Sequence, residues 1–128
     1  MKINHFASYV HDLEITKAFF EKYFGAVANS IYHNPKTGLQ SYFLAFEDGC
    51  RYEIMTKPDL AETGGADEYF GYAHLAFAVS NTEKVDSLTD RLRMDGYVVL
   101  SEPRTTGDGY YESCILDPDG NRIEIMAQ

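Results

Sequence analysis

The spacing of hydrophobic and polar positions changes period several times along this chain, and each change marks an element. Lys2–Val10 has the texture of a strand, with His5 on the same face as Ile3 and Ala7. From Asp12 to Phe24 the period becomes helical: Ile15, Phe19, Phe20, Tyr23 and Phe24 recur on one side, Asp12 is placed to cap the start, and Gly25 stops the run. Three strand-like segments follow, Ala26–Tyr32, Leu39–Glu47 and Arg51–Thr56, separated by the loop Asn34–Gly38 and by Asp48-Gly49.

The second half repeats this order. Tyr72–Val79 reads as a strand and Ser80-Asn81-Thr82-Glu83 as a capping box. Val85, Leu88 and Leu92 form the buried stripe of a helix ending at Gly96. Strands over Tyr97–Glu102, Tyr111–Leu116 and Asn121–Met126 complete the copy, with Asp117–Gly120 as the last turn. The repeat is clearest in Asp48–Met55 and Asp119–Met126, which agree at six of eight positions and lie 71 residues apart. Each reads as an Asp-Gly two-residue hairpin turn feeding a strand. Gly25 and Gly96 are also 71 apart, whereas His5 and His74 are 69 apart, so two extra residues separate the copies. The expected architecture is α+β, one domain over 1–128 built from two tandem βαβββ modules, 1–56 and 71–128. A polar linker over 57–70 carries Pro58, Gly64 and Gly65.

Composition narrows the function classes. At 128 residues the chain is long enough to bury a core without staples, and its two cysteines, Cys50 and Cys114, read as ordinary thiols. No apolar run has the length of a membrane span and no secretory leader pattern is present, so the expectation is a cytoplasmic protein with no membrane partner. Eleven Lys and Arg against 20 Asp and Glu give a net charge of −9, with no basic stripe, which argues against a nucleic-acid partner.

The candidate chemistry lies in the repeat. Side chains alternate along a strand, so Glu53 shares a face with Arg51 and Met55 while Tyr52 and Ile54 point the other way, and Glu124 sits likewise between Arg122 and Met126. Each module thus offers one histidine from its first strand and one glutamate from its last: His5 and Glu53, His74 and Glu124. Singly, such residues are more often solvated or hydrogen-bonded than ligands. Recurring at equivalent steps, related by a pseudo-twofold axis, they form a nitrogen and oxygen donor set suited to a divalent metal ion. His11 and His33 have no counterparts and read as surface residues, and Gly107-Asp108-Gly109 reads as a hairpin loop.

The segments Ile3-Asn4-His5-Phe6, Phe19–Gly25, Tyr72–Phe77 and Asp117–Glu124 resemble the vicinal oxygen chelate superfamily, which includes glyoxalase I, extradiol dioxygenases and fosfomycin and bleomycin resistance proteins. The resemblance covers nearly the whole chain and implies a glyoxalase-like fold, with the modules' sheets forming a cup around the metal. It is closest to bacterial glyoxalase I, and so implies His5, Glu53, His74 and Glu124 as ligands, with Zn²⁺ or Ni²⁺ as the expected ion. The implied activity is that of a lyase or isomerase on a small substrate with vicinal oxygens, passing through an enediolate. Glu53 or Glu124 would move the proton, with Glu124 preferred. A homodimer is implied too, with the cup formed within one chain or between two.

The chain departs from that pattern at Tyr9, where bacterial glyoxalase I has an arginine used on glutathione. Arg51 and Arg122 are the nearest cations, so glutathione does not carry over with the ligands. Other substrates with vicinal oxygens stay open, and Tyr9, Tyr52, Tyr72, Tyr110 and Tyr111 either line a pocket or pack strand faces. A metal-dependent resistance transferase, a dioxygenase and a non-catalytic drug-binding protein are the alternatives within the same superfamily.

Overall fold

A computed structural model describes residues 4–62 and 72–128. Lys2 and Ile3 of the first expected strand, and residues 63–70 of the expected linker, lie outside the described residues. The chain divides into two compact units, 1–63 and 64–128. The first contains β1 (Phe6–Tyr9), α1 (Leu13–Phe24), β2 (Val27–Ala28), β3 (Tyr32–His33), β4 (Gln40–Ala45) and β5 (Arg51–Thr56). The second contains β6 (Leu75–Val79), α2 (Thr82–Met94), β7 (Val99–Thr105), β8 (Tyr111–Leu116) and β9 (Arg122–Ala127). The fold is α+β, with one helix and one mixed sheet in each unit.

Sheet order is β1-β5-β4-β2 in the first unit, with β3 also on β4, and β6-β9-β8-β7 in the second. The first strand of each unit pairs in parallel with the last, and the other pairings are antiparallel. The helical crossover after the first strand makes that parallel pairing accessible. Registers agree between units: Ala7 is opposite Glu53, and Ala76 is opposite Glu124.

Asp12 caps α1, its carboxylate accepting from the Glu14 and Ile15 backbone N–H groups, and Gly25 closes the helix at φ 66°. The expected capping box gives way to Asn81, whose side chain accepts from Lys84 N at 3.0 Å, so α2 starts 69 residues after α1. Asparagine is itself a strong N-cap, and it takes the place one step past Ser80. The second helix has 13 residues against 12, and ends on Asp95 before Gly96. Those two residues account for the change of offset from 69 to 71.

Phe19 and Phe20 of α1 are buried, as are Leu44 and Ile54 of the sheet. In the second unit Val85 and Leu92 pack with Ile115, Ile123 and Ile125. Each such side chain contributes about 1.5–3 kcal/mol by leaving water. Ile15 does not join this face and is exposed, because it lies about 200° around the helix from Leu13; Leu13 and Thr16 take the buried places. Leu88 is half-buried, and Thr89 beside it is fully buried, its hydroxyl 2.7 Å from Ser113 Oγ.

Two expected strands differ in outline. Ala26–Tyr32 breaks into β2 and β3 because one extra residue enters opposite β4. Pairing passes from Ala28 with Leu44 to Tyr32 with Ser41, and the Asn29 side chain accepts from Phe43 N in between. The strand expected to stop at Glu102 runs through Pro103 to Thr105, which an edge strand with shifted register allows.

The Asp-Gly turns are also longer than two residues. Phe46 N donates to Cys50 O, and Asp117 N to Asn121 O, so each loop has three residues with the glycine last, at φ 85° for Gly49 and 80° for Gly120. This is the three-residue hairpin that needs a left-handed residue at its third place. Thr106–Tyr110 closes in the same way around Gly109, in agreement with the expected hairpin loop.

The described start of the expected linker, 57–62, lies against the first unit. Pro58 packs so closely on Gly38 that a Cβ there would come within 2.8 Å of its ring, and Glu62 pairs with His11 at 3.0 Å. His11 and His33 are on the surface as expected.

Candidate metal centre

The alternation on β5 and β9 has a physical cause on its helix side. Tyr52, Ile54, Ile123 and Ile125 are buried against the helices, which forces Arg51, Glu53 and Met55, and Arg122, Glu124 and Met126, onto the opposite face. His5 and His74 each stand one residue before their strand, not within it as expected. Parallel pairing begins only at Phe6 with Tyr52 and at Leu75 with Ile123. Their parity matches Ala7 and Ala76, so each imidazole emerges on the glutamate's side. Alanine at those steps leaves the flank of each carboxylate open.

The histidine and glutamate of each unit meet. His5 Nε2 lies 3.6 Å from Glu53 Oε2, and His74 Nε2 lies 3.1 Å from Glu124 Oε2. Both carboxylates are largely covered, at 18% and 21% side-chain exposure, while the imidazoles keep 37% and 42%. Metal–ligand bonds of roughly 2.1 Å set two adjacent donors of one ion roughly 3.0–3.4 Å apart. Each pair therefore has the spacing of neighbouring ligands to within a few tenths of an ångström. Within either unit, no third His, Cys, Asp or Glu joins the pair among the described residues.

In the first unit the imidazole is also oriented. Asn4 Oδ1 accepts from His5 Nδ1 at 2.8 Å and from Arg51 Nη2. A proton held on Nδ1 leaves the Nε2 lone pair pointing at Glu53, the tautomer a metal ligand needs. The ring is further fixed by an edge contact with Phe43, 5.2 Å between centroids. Sequence reasoning passed over Asn4, whose one signal was its place beside His5. Ala73 stands at that place in the second unit and offers no such bond.

The surroundings of the two glutamates differ. Opposite Glu53 across the antiparallel ladder is Phe43; opposite Glu124 is Cys114. Burial pushes the Glu124 carboxyl above its ordinary range. Glu112 and Asp108 add to the rise, and His74 and Arg104 oppose it. Burial also raises the Cys114 thiol, assisted by the Glu124 charge.

Of the five tyrosines considered for a pocket, Tyr9 is on the Glu53 side, opposite Met55, with Lys57 over its ring. Tyr52 belongs to the core, stacked on Phe6 and bonded to Ser8. Tyr111 donates to Asp86 of α2, while Tyr72 and Tyr110 are exposed.

Comparison with known proteins identifies the family and the fold. The family model described as Glyoxalase/Bleomycin resistance protein/Dioxygenase superfamily matches residues 2–125. An uncharacterized protein of Pseudomonas aeruginosa, PA2024, is 31% identical over 96% of this chain and 86% of its own. Among solved structures, a glyoxalase I variant from Zea mays superposes with a TM-score of 0.79 at 22% identity, over 98% of this chain and 44% of that one. The fosfomycin resistance protein FosX from Listeria monocytogenes, complexed with Mn(II) and sulfate, superposes with a TM-score of 0.72 at 23% identity, over 99% and 92%. At such identities the structural likeness speaks for the fold.

Proposed function

The chain belongs to the Glyoxalase/Bleomycin resistance protein/Dioxygenase superfamily, and we propose that within it the protein is a metal-dependent lyase or isomerase of the glyoxalase I type. His5, Glu53, His74 and Glu124 are the proposed ligands. The observation that carries this reading is the recurrence of one pair in both units: Nε2 of a histidine beside a covered carboxylate, at 3.6 Å and 3.1 Å. Covering a carboxylate costs free energy unless a cation compensates it, and the same cost is met twice at equivalent steps.

A divalent ion held there supplies Lewis acidity toward two adjacent oxygens of a small substrate. The chain's own part is to move a proton. A carboxylate takes it from the carbon beside those oxygens and returns it to the next carbon. We assign this to Glu124, whose carboxyl is raised by burial above the ordinary carboxylate range, with Glu53 as its counterpart. Zn²⁺ and Ni²⁺ suit the two-nitrogen, two-oxygen set. The substrate class is a small molecule with vicinal oxygens; with Tyr9 at the place of a glutathione-binding arginine, glutathione is not part of the proposal.

The likeness to FosX, whose structure holds Mn(II), supports a resistance enzyme as the second reading. That reading needs three protein ligands, and the pairing of Glu53 with His5 favours four. We further read the protein as a cytoplasmic homodimer, supported by its two free thiols and its family. No helix among the described residues is long and apolar enough to cross a membrane.

Metal analysis of protein purified without chelator tests the assignment. One ion per chain is expected, with Glu53→Gln weakening retention by at least about 10-fold. Wild-type protein without stoichiometric metal would refute the enzyme reading. Undiminished binding by Glu53→Gln would remove the fourth ligand and leave the resistance enzyme. Two ions per chain would mean that the pairs act separately.

A further inference from the structure

Arg51 is placed unlike a structural arginine. It lies on the Glu53 face of β5, two residues along the strand, half-buried, with its guanidinium 4.9 Å from the centre of the Phe43 ring. Its hydrogen-bond partner is the neutral amide oxygen of Asn4. In a chain with 20 acidic residues against 11 Lys and Arg, no carboxylate among the described residues forms an ion pair with it. The aromatic face and the amide hold the group in one orientation without neutralising it. A guanidinium has five N–H donors, and among the described residues one is used on Asn4.

We propose that Arg51 is a subsite for an anionic group, a carboxylate or phosphate-type oxyanion, on the substrate bound at the His5–Glu53 pair. The inference rests on the metal reading above and names the substrate class: a molecule with vicinal oxygens at one end and a negative charge at the other. Two strand steps separate Arg51 from Glu53 by roughly 7 Å, which sets the distance between the two ends. A pre-oriented guanidinium, stacked on an aromatic ring, matches a two-oxygen anion with little further loss of side-chain freedom. Arg51 thereby supplies the cation that Tyr9 does not, from a different strand. Because Asn4 bonds both Arg51 and His5, the anion subsite and the imidazole are fixed by the same residue.

The test uses two probes with the same vicinal oxygens, 3,4-dihydroxybenzoate and the uncharged 3,4-dihydroxybenzamide, titrated calorimetrically into Ni²⁺-loaded wild type, Arg51→Gln and Arg51→Lys. Wild type is expected to prefer the acid by about 10-fold, against the protein's own net charge of −9. Arg51→Gln should reduce the acid to the amide's affinity and leave the amide unchanged, and Arg51→Lys should keep part of the preference. Equal affinities in wild type, or a preference that survives in Arg51→Gln, would overturn the subsite. Metal content of the same samples reports the metal reading separately. Benzoate titrated into metal-free protein, followed by the Arg51 Nε–Hε resonance, decides the subsite even if no metal binds: a saturable shift supports it, and no shift refutes it.

Discussion

Cys114 stands directly opposite Glu124 across the β8–β9 ladder, on the same face of the sheet, where the first unit places Phe43 opposite Glu53. The thiol is half-covered and is raised by burial and by the glutamate's charge. Thiolate is the reactive form, so this cysteine is held inert beside the proposed ligand. Cys50 is exposed in the Phe46–Cys50 hairpin. With a disulfide reagent at pH 7.5, one thiol per chain should react fast and the second at least about 10-fold more slowly. Peptide mapping should assign the fast one to Cys50. Equal rates would mean that Cys114 is not covered as described.

Asn4 predicts an asymmetry between the two histidines. Its side chain fixes the His5 proton on Nδ1, and Ala73 does nothing comparable for His74. Partners of that kind are worth roughly 10–100-fold in metal affinity. Asn4→Leu should therefore weaken the metal by that range, while Ala73→Ser changes it little. Competition against a metallochromic chelator measures both. If Asn4→Leu binds as tightly as wild type, the bond orients nothing that matters.

Much of this was legible in the sequence because its signals were local. The helices follow from Asp12, Gly25 and the Phe19, Phe20 and Tyr23 stripe, and β5 and β8 match their expected bounds. The duplication singled out one histidine and one glutamate in each unit, whereas the parallel pairing of their strands is read from the coordinates. What escaped depends on cross-strand partners that periodicity does not carry. The Asn29 side chain splitting β2 from β3, and the tolerance of Pro103 on an edge strand, are set by β4 and β8. The bond from His5 to Asn4 and the place of Cys114 opposite Glu124 likewise need coordinates.

The hydroxyl pair in the second unit carries a stability prediction. Thr89 Oγ1 lies 2.7 Å from both Val85 O and Ser113 Oγ, and both residues are fully buried. Thr89→Val keeps the shape and leaves Ser113 without its partner, at a cost of about 1–3 kcal/mol. Adding Ser113→Ala removes the orphaned hydroxyl, so the double variant should be less destabilised than the sum of the two single ones. Urea denaturation of the four proteins checks this. Strict additivity would show that the two hydroxyls do not act as a pair.

Asp117, at the start of the last hairpin, predicts a dependence on pH. It is buried, and its carboxylate accepts from Asp119 N at 2.9 Å, from Asn121 N at 2.8 Å and from the Asn121 side chain. Burial raises its pKa by more than these bonds lower it. Since the folded value lies above the unfolded one, the folded chain binds the proton more tightly between the two. Stability from this residue therefore increases as pH falls from the raised folded value toward about 3.9, and above that window the cost of the buried charge is fully present. Asp117→Asn keeps an acceptor for the two backbone N–H groups and removes the titration. The urea midpoint of wild type relative to this variant should rise between pH 7 and pH 4. A difference that falls instead would mean that the hydrogen bonds outweigh burial and that the carboxyl is lowered, not raised.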